Sequence, residues 1–186
     1  MEERISILGF AGSLRKGSYN RMVLREAAKL APPNAEVEIF DLDGIPPFNQ
    51  DDEGPERMPQ RVKEFKSKIR SADAILISTP EYNYSIPGVL KNAIDWASRP
   101  YPDNSFEGKP VAIMSASGGM LGASRAQYHL RQTFVYLNMH PLNRPEVIIP
   151  FVNEKFDKDG NLTDEKTREK ISEMLAELTV FAAKFV

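Results

Sequence analysis

Short, almost continuous apolar runs recur along the chain, and each is followed by a longer stretch with a different period. Ile, Val, Leu and Ala dominate three of the runs, ISILGF, AILIST and VAIMSA, which is typical of strands buried on both faces of a parallel sheet. Two further runs, VEIFDL and EVIIP, are weaker, and the first alternates between apolar and polar residues. The pattern predicts strands at 5–10, 37–42, 74–79, 111–116 and 146–150.

The stretches between these runs carry apolar residues three or four positions apart, which is the helical period. They predict helices over 18–31, 58–71, 87–98, 123–138 and 164–185, the last of them capped by Thr163. Regular alternation of strand and helix favours a three-layer α/β sandwich with helices on both faces of a five-stranded parallel sheet. The strand order 2-1-3-4-5 suits this length, and such sheets bind ligands beyond the carboxyl ends of their strands.

Composition narrows the functions that this fold can have. The 186 residues, 41% hydrophobic and 27% charged, fit a single globular domain spanning 1–186. The 24 basic and 26 acidic residues leave a net charge of −2, which argues against a broad nucleic-acid surface but not against a small anion site. Because cysteine is absent, disulfides, thiolate catalysis and thiolate zinc sites are excluded. Neither a signal sequence nor a membrane span is evident, so we expect a cytoplasmic protein.

The loop behind the first strand, GFAGSLRKGSYN, combines small hydrogen-bond donors with cations. It has neither the Gly-Lys-Ser/Thr ending of a P-loop nor the G-x-G-x-x-G of a dinucleotide site. What remains is a turn at Gly12, the hydroxyls of Ser13 and Ser18, the amide of Asn20 and the guanidinium of Arg15. Together with the start of the following helix, these groups suit a terminal monophosphate. The alternative is a polar loop whose serines only cap the helix.

Two more loops follow the third and fourth strands. TPEYNYSIPG, at 79–88, places two tyrosines between stiffening prolines and could present backbone groups to the edge of a flat heterocycle. SASGGMLG, at 115–122, has glycines that permit close backbone approach, while Ser115 and Ser117 could bond a ligand's polar rim. The alternatives are a surface turn whose tyrosines pack on the next helix and a flexible connection. A phosphate at one loop and a planar ring between the others describe a mononucleotide.

These blocks carry a resemblance to a known family. GSLRKGSYN, TPEYNYSIPGVLKNAIDWASRP and GKPVAIMSASGGMLGASRAQYHLRQ resemble the NAD(P)H-dependent FMN reductases, which are flavodoxin-like proteins, and within them the bacterial chromate/quinone reductase branch. The likeness covers roughly residues 4–150. It implies noncovalently bound FMN and two-electron transfer from NADPH or NADH to quinones, chromate and other oxidised metal ions, azo compounds or free flavin.

The resemblance also implies a set of site residues. Those of the first loop would hold the phosphate, those of the second would border the ring and ribityl chain, and those of the third would contact the far edge of the ring. The cofactor-binding residues are Ser13, Leu14, Arg15, Ser18, Tyr19, Asn20, Pro80, Glu81, Tyr82, Asn83, Tyr84, Ser85, Ser117 and Gly118. Family members are dimers or tetramers, and Arg125, Tyr128 and Glu146 match positions linked to tetramer contacts.

In such a protein the flavin carries the chemistry, with hydride transfer to its N5 and ping-pong kinetics, so we assign no catalytic side chain. A backbone N–H from the Tyr82–Asn83 region could stabilise the reduced ring. The acidic stretch NQDDEGPER, at 49–57, is interpreted as a solvated loop, and no metal site is assigned. Two other functions stay open: a flavodoxin-like electron carrier, which the slight net charge and the arginine of the first loop disfavour, and a phosphate-binding α/β protein without flavin.

Overall fold

The computed structural model describes residues 4–186, in which strands and helices largely alternate along the chain. The strands are β1 (Ile5–Ala11), β2 (Ala35–Phe40), β3 (Ala74–Thr79), β4 (Pro110–Ala116), β5 (His140–Pro141) and β6 (Val147–Ile149). The helices are α1 (Tyr19–Lys29), α2 (Gln60–Ser71), α3 (Gly88–Ala97), α4 (Ser124–Leu137) and α5 (Glu165–Ala182). Short 3-10 turns cover Gln50–Asp52 and Val152–Glu154.

All strand pairs are parallel, and the sheet order β2-β1-β3-β4-β5 confirms the predicted 2-1-3-4-5 topology of a flavodoxin-like sandwich. Apolar side chains form a cluster on each face of the sheet. One cluster lies under α1 and α5 and includes Val23 and Leu175. The other lies under α2, α3 and α4 and includes Phe65, Leu90 and Phe134. The burial of both faces explains why the central strands are almost continuously apolar.

The fifth predicted strand is divided in the structure. His140–Pro141 pairs with the first residues of β4, and Val147–Ile149 pairs with its last three. The chain leaves the sheet between these two pieces, where Pro145 has no N–H to offer a neighbouring strand. The second predicted strand is also displaced, by two residues towards the N-terminus.

Helix α5 begins at Glu165, one residue later than predicted, and its cap is likewise one residue later. Thr163 is engaged with Lys155, whose carbonyl oxygen accepts from both the N–H and the hydroxyl of Thr163, at 2.9 and 3.2 Å. The carboxylate of Asp164 caps the helix and accepts the N–H of Thr167 at 3.0 Å. The prediction of Thr163 as the cap is therefore wrong, because two neighbouring residues could serve and only one is free to do so. No helix within residues 4–186 is long and apolar enough to cross a membrane.

Candidate functional site

The three loops singled out in the sequence leave the same edge of the sheet side by side. Ala11 at the end of β1 is in register with Ser78 of β3, and Thr79 of β3 is in register with Ser115 of β4. Since neighbouring strands lie about 4.8 Å apart, the loops begin within roughly 10 Å of one another. The N–H of Gly12 donates to the carbonyl oxygen of Ser78 at 2.9 Å, which joins the first loop to the end of β3.

Asn20, in the first turn of α1, connects the ends of β3 and β4 from inside the protein. Its side chain donates to the carbonyl oxygen of Ala116 at 2.9 Å and accepts from the Ala116 N–H and the Ser78 hydroxyl, both at 3.1 Å. The residue is only 3% exposed. Its amide makes three hydrogen bonds within the protein, and the phosphate contact that we predicted for Asn20 stays a prediction. A helix-start asparagine that faces inward has no sequence signature that separates it from one that faces a ligand.

The first loop offers hydrogen-bond donors at the start of α1. Ser13 and Ser18 are buried, whereas Leu14 and Arg15 are exposed. Ser18 is the N-cap of α1, although its hydroxyl oxygen accepts the Arg21 N–H at a long 3.5 Å. The adjoining peptide N–H groups carry the positive end of the helix dipole.

Two cations just before this helix start are not neutralised by acids. In the described part of the chain, neither Arg15 nor Lys16 forms an ion pair with a carboxylate. A Cβ added to Gly17 would lie 3.8 Å from a terminal nitrogen of Arg15, so the guanidinium lies close to the loop backbone. Arg21 was not among the predicted site residues. It forms an ion pair with Asp41 and donates a long hydrogen bond, 3.5 Å, to the carbonyl oxygen of Leu14. A loop that is rich in donors and carries no carboxylate fits a phosphate.

The second loop contains a two-residue hairpin turn. The backbones of Tyr82 and Ser85 exchange two hydrogen bonds, each 2.9 Å long, around Asn83 and Tyr84. Both central residues are left-handed, with φ of 52° and 65°, which is the type I′ arrangement. Asparagine tolerates this conformation, but tyrosine rarely adopts it. Tyr82 and Tyr84 are 56% and 64% exposed, so neither is buried against a helix as the alternative interpretation required.

Glu81 immediately precedes this turn and is engaged with the start of α4. Its side chain is 9% exposed and forms an ion pair with Arg125, whose Nε donates to it at 2.5 Å. The other carboxylate oxygen accepts the N–H of Ala126 at 3.3 Å. The guanidinium carbon of Arg125 lies 3.7 Å from the centroid of the Tyr84 ring, and the hydrogen bond to Glu81 raises the pKa of Arg125. Glu81, which we predicted to contact the cofactor, and Arg125, which we predicted to contact another subunit, thus contact each other.

The remaining predicted residues of these loops have simple surroundings. Pro80 is half-buried, and its carbonyl oxygen accepts the Thr79 hydroxyl at 2.8 Å. The hydroxyl of Ser85 lies 3.1 Å from Nδ1 of His129 on α4. Tyr19 is half-buried, with its ring centroid 5.5 Å from that of Phe156.

The third loop is fastened to the segment that follows β6. Ser117 donates its N–H to Ile149 at 3.1 Å and accepts from the N–H of Val152 at 3.0 Å. Gly118 is exposed at the next position, where the backbone is open to a ligand. Ser115 is fully buried and donates to the carbonyl oxygen of Gly122 at 2.7 Å. The suggestion that Ser115 contacts a ligand is therefore wrong, because the position is internal to the sheet.

The arrangement has close counterparts among known proteins. The family model of the NADPH-dependent FMN reductases matches residues 5–154, a range that contains all three loops. The chain belongs to this family. An NAD(P)H-dependent FMN reductase of Pseudomonas aeruginosa is 52% identical over 184 residues, covering 99% of this chain and 98% of that protein. A quinone reductase of Escherichia coli is 42% identical over 183 residues, covering 97% and 95%.

A solved structure agrees with this membership. FerB, a flavoenzyme NAD(P)H:(acceptor) oxidoreductase of Paracoccus denitrificans, superimposes with a TM-score of 0.88 at 35% identity, over 97% of this chain and 98% of that one. In an FMN reductase, the donor-rich first loop suits the terminal phosphate of FMN. The Tyr82–Ser85 turn of the second loop and the Ser117–Gly118 backbone of the third loop suit a flat ring. Across residues 4–186, no group of three His, Asp or Glu side chains is placed to hold a metal ion.

Proposed function

We propose that this member of the FMN reductase family is an NAD(P)H-dependent oxidoreductase that binds FMN noncovalently and reduces quinones and related acceptors. The observation that carries the proposal is the joint position of a donor-rich loop and a left-handed turn at one sheet edge. The register of Ala11 with Ser78 and of Thr79 with Ser115 brings them together. The names of the Pseudomonas and Escherichia relatives support both the cofactor and the acceptor class.

In this proposal the first loop holds the phosphate through Ser13, Arg15, Ser18 and the N-terminus of α1. The Tyr82–Ser85 turn and the Ser117–Gly118 backbone border the ring. Bound FMN supplies the two-electron hydride chemistry, so the chain needs no nucleophile or general base of its own. The side chains would bind and orient the cofactor.

The acceptor is proposed to be flat and to bind from solvent. Tyr82, Tyr84 and Met120 are large exposed side chains on the second and third loops, and they offer apolar surface against which a quinone could stack. Chromate and other oxidised metal ions, azo compounds and free flavin are further proposed acceptors, because an open reduced flavin can pass electrons to many oxidants. A cytoplasmic location suits an enzyme whose reductant, NAD(P)H, is intracellular.

A homo-oligomer, with a tetramer as its largest form, is also proposed. Helix α4 exposes three large side chains, Tyr128 at 57%, Val135 at 83% and Tyr136 at 75%. Val135 and Tyr136 follow Tyr128 by seven and eight positions, so the three share one face of the helix. Arg125 is the second residue of the same helix, and Glu146 directly precedes β6. Sedimentation of the wild-type protein would test this oligomeric state.

Comparison of FMN with riboflavin, which lacks the phosphate, tests the proposed function. Apoprotein titrated with each compound should bind FMN at least about a hundredfold more tightly, as expected for two charge-assisted hydrogen bonds. Equal affinities would show that the first loop does not hold a phosphate. Failure to bind either compound would overturn the flavin assignment as a whole.

A further inference from the structure

The N-terminus of α4 is capped by a residue from a different loop. Ala123 occupies the N-cap position with a left-handed φ of 66° and provides no side-chain acceptor. Ala126 is the third residue of the helix, where a capping oxygen normally accepts the N–H. The acceptor here is the carboxylate of Glu81, at 3.3 Å, from the loop behind β3. A negative charge at this position is also favoured by the helix dipole.

The carboxylate of Glu81 also binds Arg125, which in turn contacts the loop that carries Glu81. Arg125 binds Glu81 through Nε and Nη2 and covers the ring of Tyr84 at 3.7 Å. Beyond the turn, Ser85 lies within hydrogen-bond distance of His129, one helical turn further along α4. The turn is therefore attached to α4 both before and after its two left-handed residues.

Such attachment is needed because this turn is weak by itself. Its two central residues are Asn83 and Tyr84, not the Asn-Gly or Asp-Gly that favour a type I′ turn. A single pair of backbone hydrogen bonds closes it, and an isolated hairpin of this kind is marginal in water. In the part of the chain that the structure describes, neither central N–H donates to another backbone atom.

We propose that Glu81 and Arg125 are positioning residues that hold the Tyr82–Ser85 turn in its left-handed conformation for the flavin ring. The two N–H groups of Asn83 and Tyr84 are then available to the ring, where donors stabilise the electron-rich reduced state more than the oxidised state. Neither Glu81 nor Arg125 needs to contact the cofactor for this effect. The inference rests on the proposed FMN site and specifies what controls its reduction.

The first test uses apoprotein and so does not depend on flavin. Glu81→Gln retains the shape of the side chain but removes its charge. The control is Glu38→Gln, which removes a negative charge from the ion pair between Glu38 of β2 and Lys68 of α2. Amide hydrogen exchange at Tyr82 and Ser85 should become about tenfold faster in Glu81→Gln, as expected for loss of a charged hydrogen bond. It should not change in Glu38→Gln. Unchanged exchange in Glu81→Gln would overturn the proposal.

The second test measures the midpoint potential of bound FMN in the same variants. Glu81→Gln should lower the potential by about 30 mV, which is a tenfold loss of preference for the reduced state in a two-electron couple. A double variant, Glu81→Gln with Arg125→Met, should shift it no further, because the two residues act as one unit. A potential in Glu81→Gln equal to that of the wild type, or a further fall in the double variant, would overturn the positioning role. Failure of the wild-type protein itself to bind FMN would overturn the proposed function and this role with it.

Discussion

The side-chain amide of Asn20 donates to the carbonyl oxygen of Ala116 at 2.9 Å and thereby links the start of α1 to the end of β4. Its oxygen also accepts from Ser78, at the end of β3. One buried residue of α1 therefore connects two of the three strand ends from which the candidate site is built, those of β3 and β4. This arrangement makes the geometry of the loops a property of the core as well as of the loops themselves.

Replacement of Asn20 by Ala should lower the free energy of unfolding by about 1–3 kcal/mol, the cost of leaving buried polar groups without partners. The unpaired groups would be the Ser78 hydroxyl and the backbone of Ala116. Urea unfolding monitored by circular dichroism measures the change. Asn143→Ala is the control, since Asn143 is exposed and pairs only with Arg131 among its described contacts. Equal stability of the two variants would contradict the proposed role of Asn20.

Gly122→Ala should disrupt the third loop. Gly122 has a φ of 54°, and a Cβ there would lie 2.6 Å from Cγ2 of Ile148 and 2.9 Å from the backbone of Ile149. Strain and overlap together should reduce the free energy of unfolding by about 2–4 kcal/mol. Gly54→Ala, where a Cβ meets nothing within 4 Å, should have little effect. Similar unfolding midpoints for both variants would show that the loop can adjust freely.

Acid should weaken the cap of α5. The hydrogen bond from Thr167 lowers the pKa of Asp164 below its ordinary value. Because the folded-state pKa is the lower one, the stabilisation is present above the unfolded pKa and is lost as the pH falls through the folded one. Asp164→Ala should therefore cost about 1 kcal/mol at neutral pH. The difference from wild type should shrink in acid, as the pH falls below the ordinary pKa of an aspartate, and a difference independent of pH would contradict the assignment.

Arg15→Ala should weaken the binding of FMN by about 1.5–3 kcal/mol, the range for a charge-assisted hydrogen bond, and leave riboflavin binding unchanged. The expectation follows from the exposed guanidinium beside Gly17 at the start of α1. Fluorescence titration of apoprotein measures both affinities. Arg25→Ala is the matched control, because Arg25 is an exposed cation further along the same helix. If both variants bind FMN as tightly as the wild type, Arg15 does not hold the phosphate.

The parts of this molecule that could be predicted are those that depend on local pattern. Strands such as Ala74–Thr79 are buried on both faces, so their apolar runs are visible. Alternation with helices predicts a parallel sheet, and the order 2-1-3-4-5 suits the length of the chain. The three loops follow directly, because carboxyl ends of parallel strands share one edge.

The parts that could not be predicted depend on contacts between distant residues. Glu81 and Arg125 are 44 positions apart, and nothing in either segment indicates the other. The left-handed turn at Asn83–Tyr84 lacks the glycine that usually marks it. The division of the last strand depends on which residues β4 can pair with, and the apolar pattern around Val147 does not contain that information.

The central claim is that NAD(P)H reduces FMN bound at these three loops. The most direct measurement adds NADPH or NADH, without oxygen, to wild-type protein loaded with FMN and records the visible spectrum. We predict that about one equivalent of the reductant bleaches the flavin absorbance and that a quinone then restores it, as ping-pong two-electron transfer requires. A bound flavin that dithionite bleaches but NADPH and NADH do not would contradict the claim and identify an electron carrier instead.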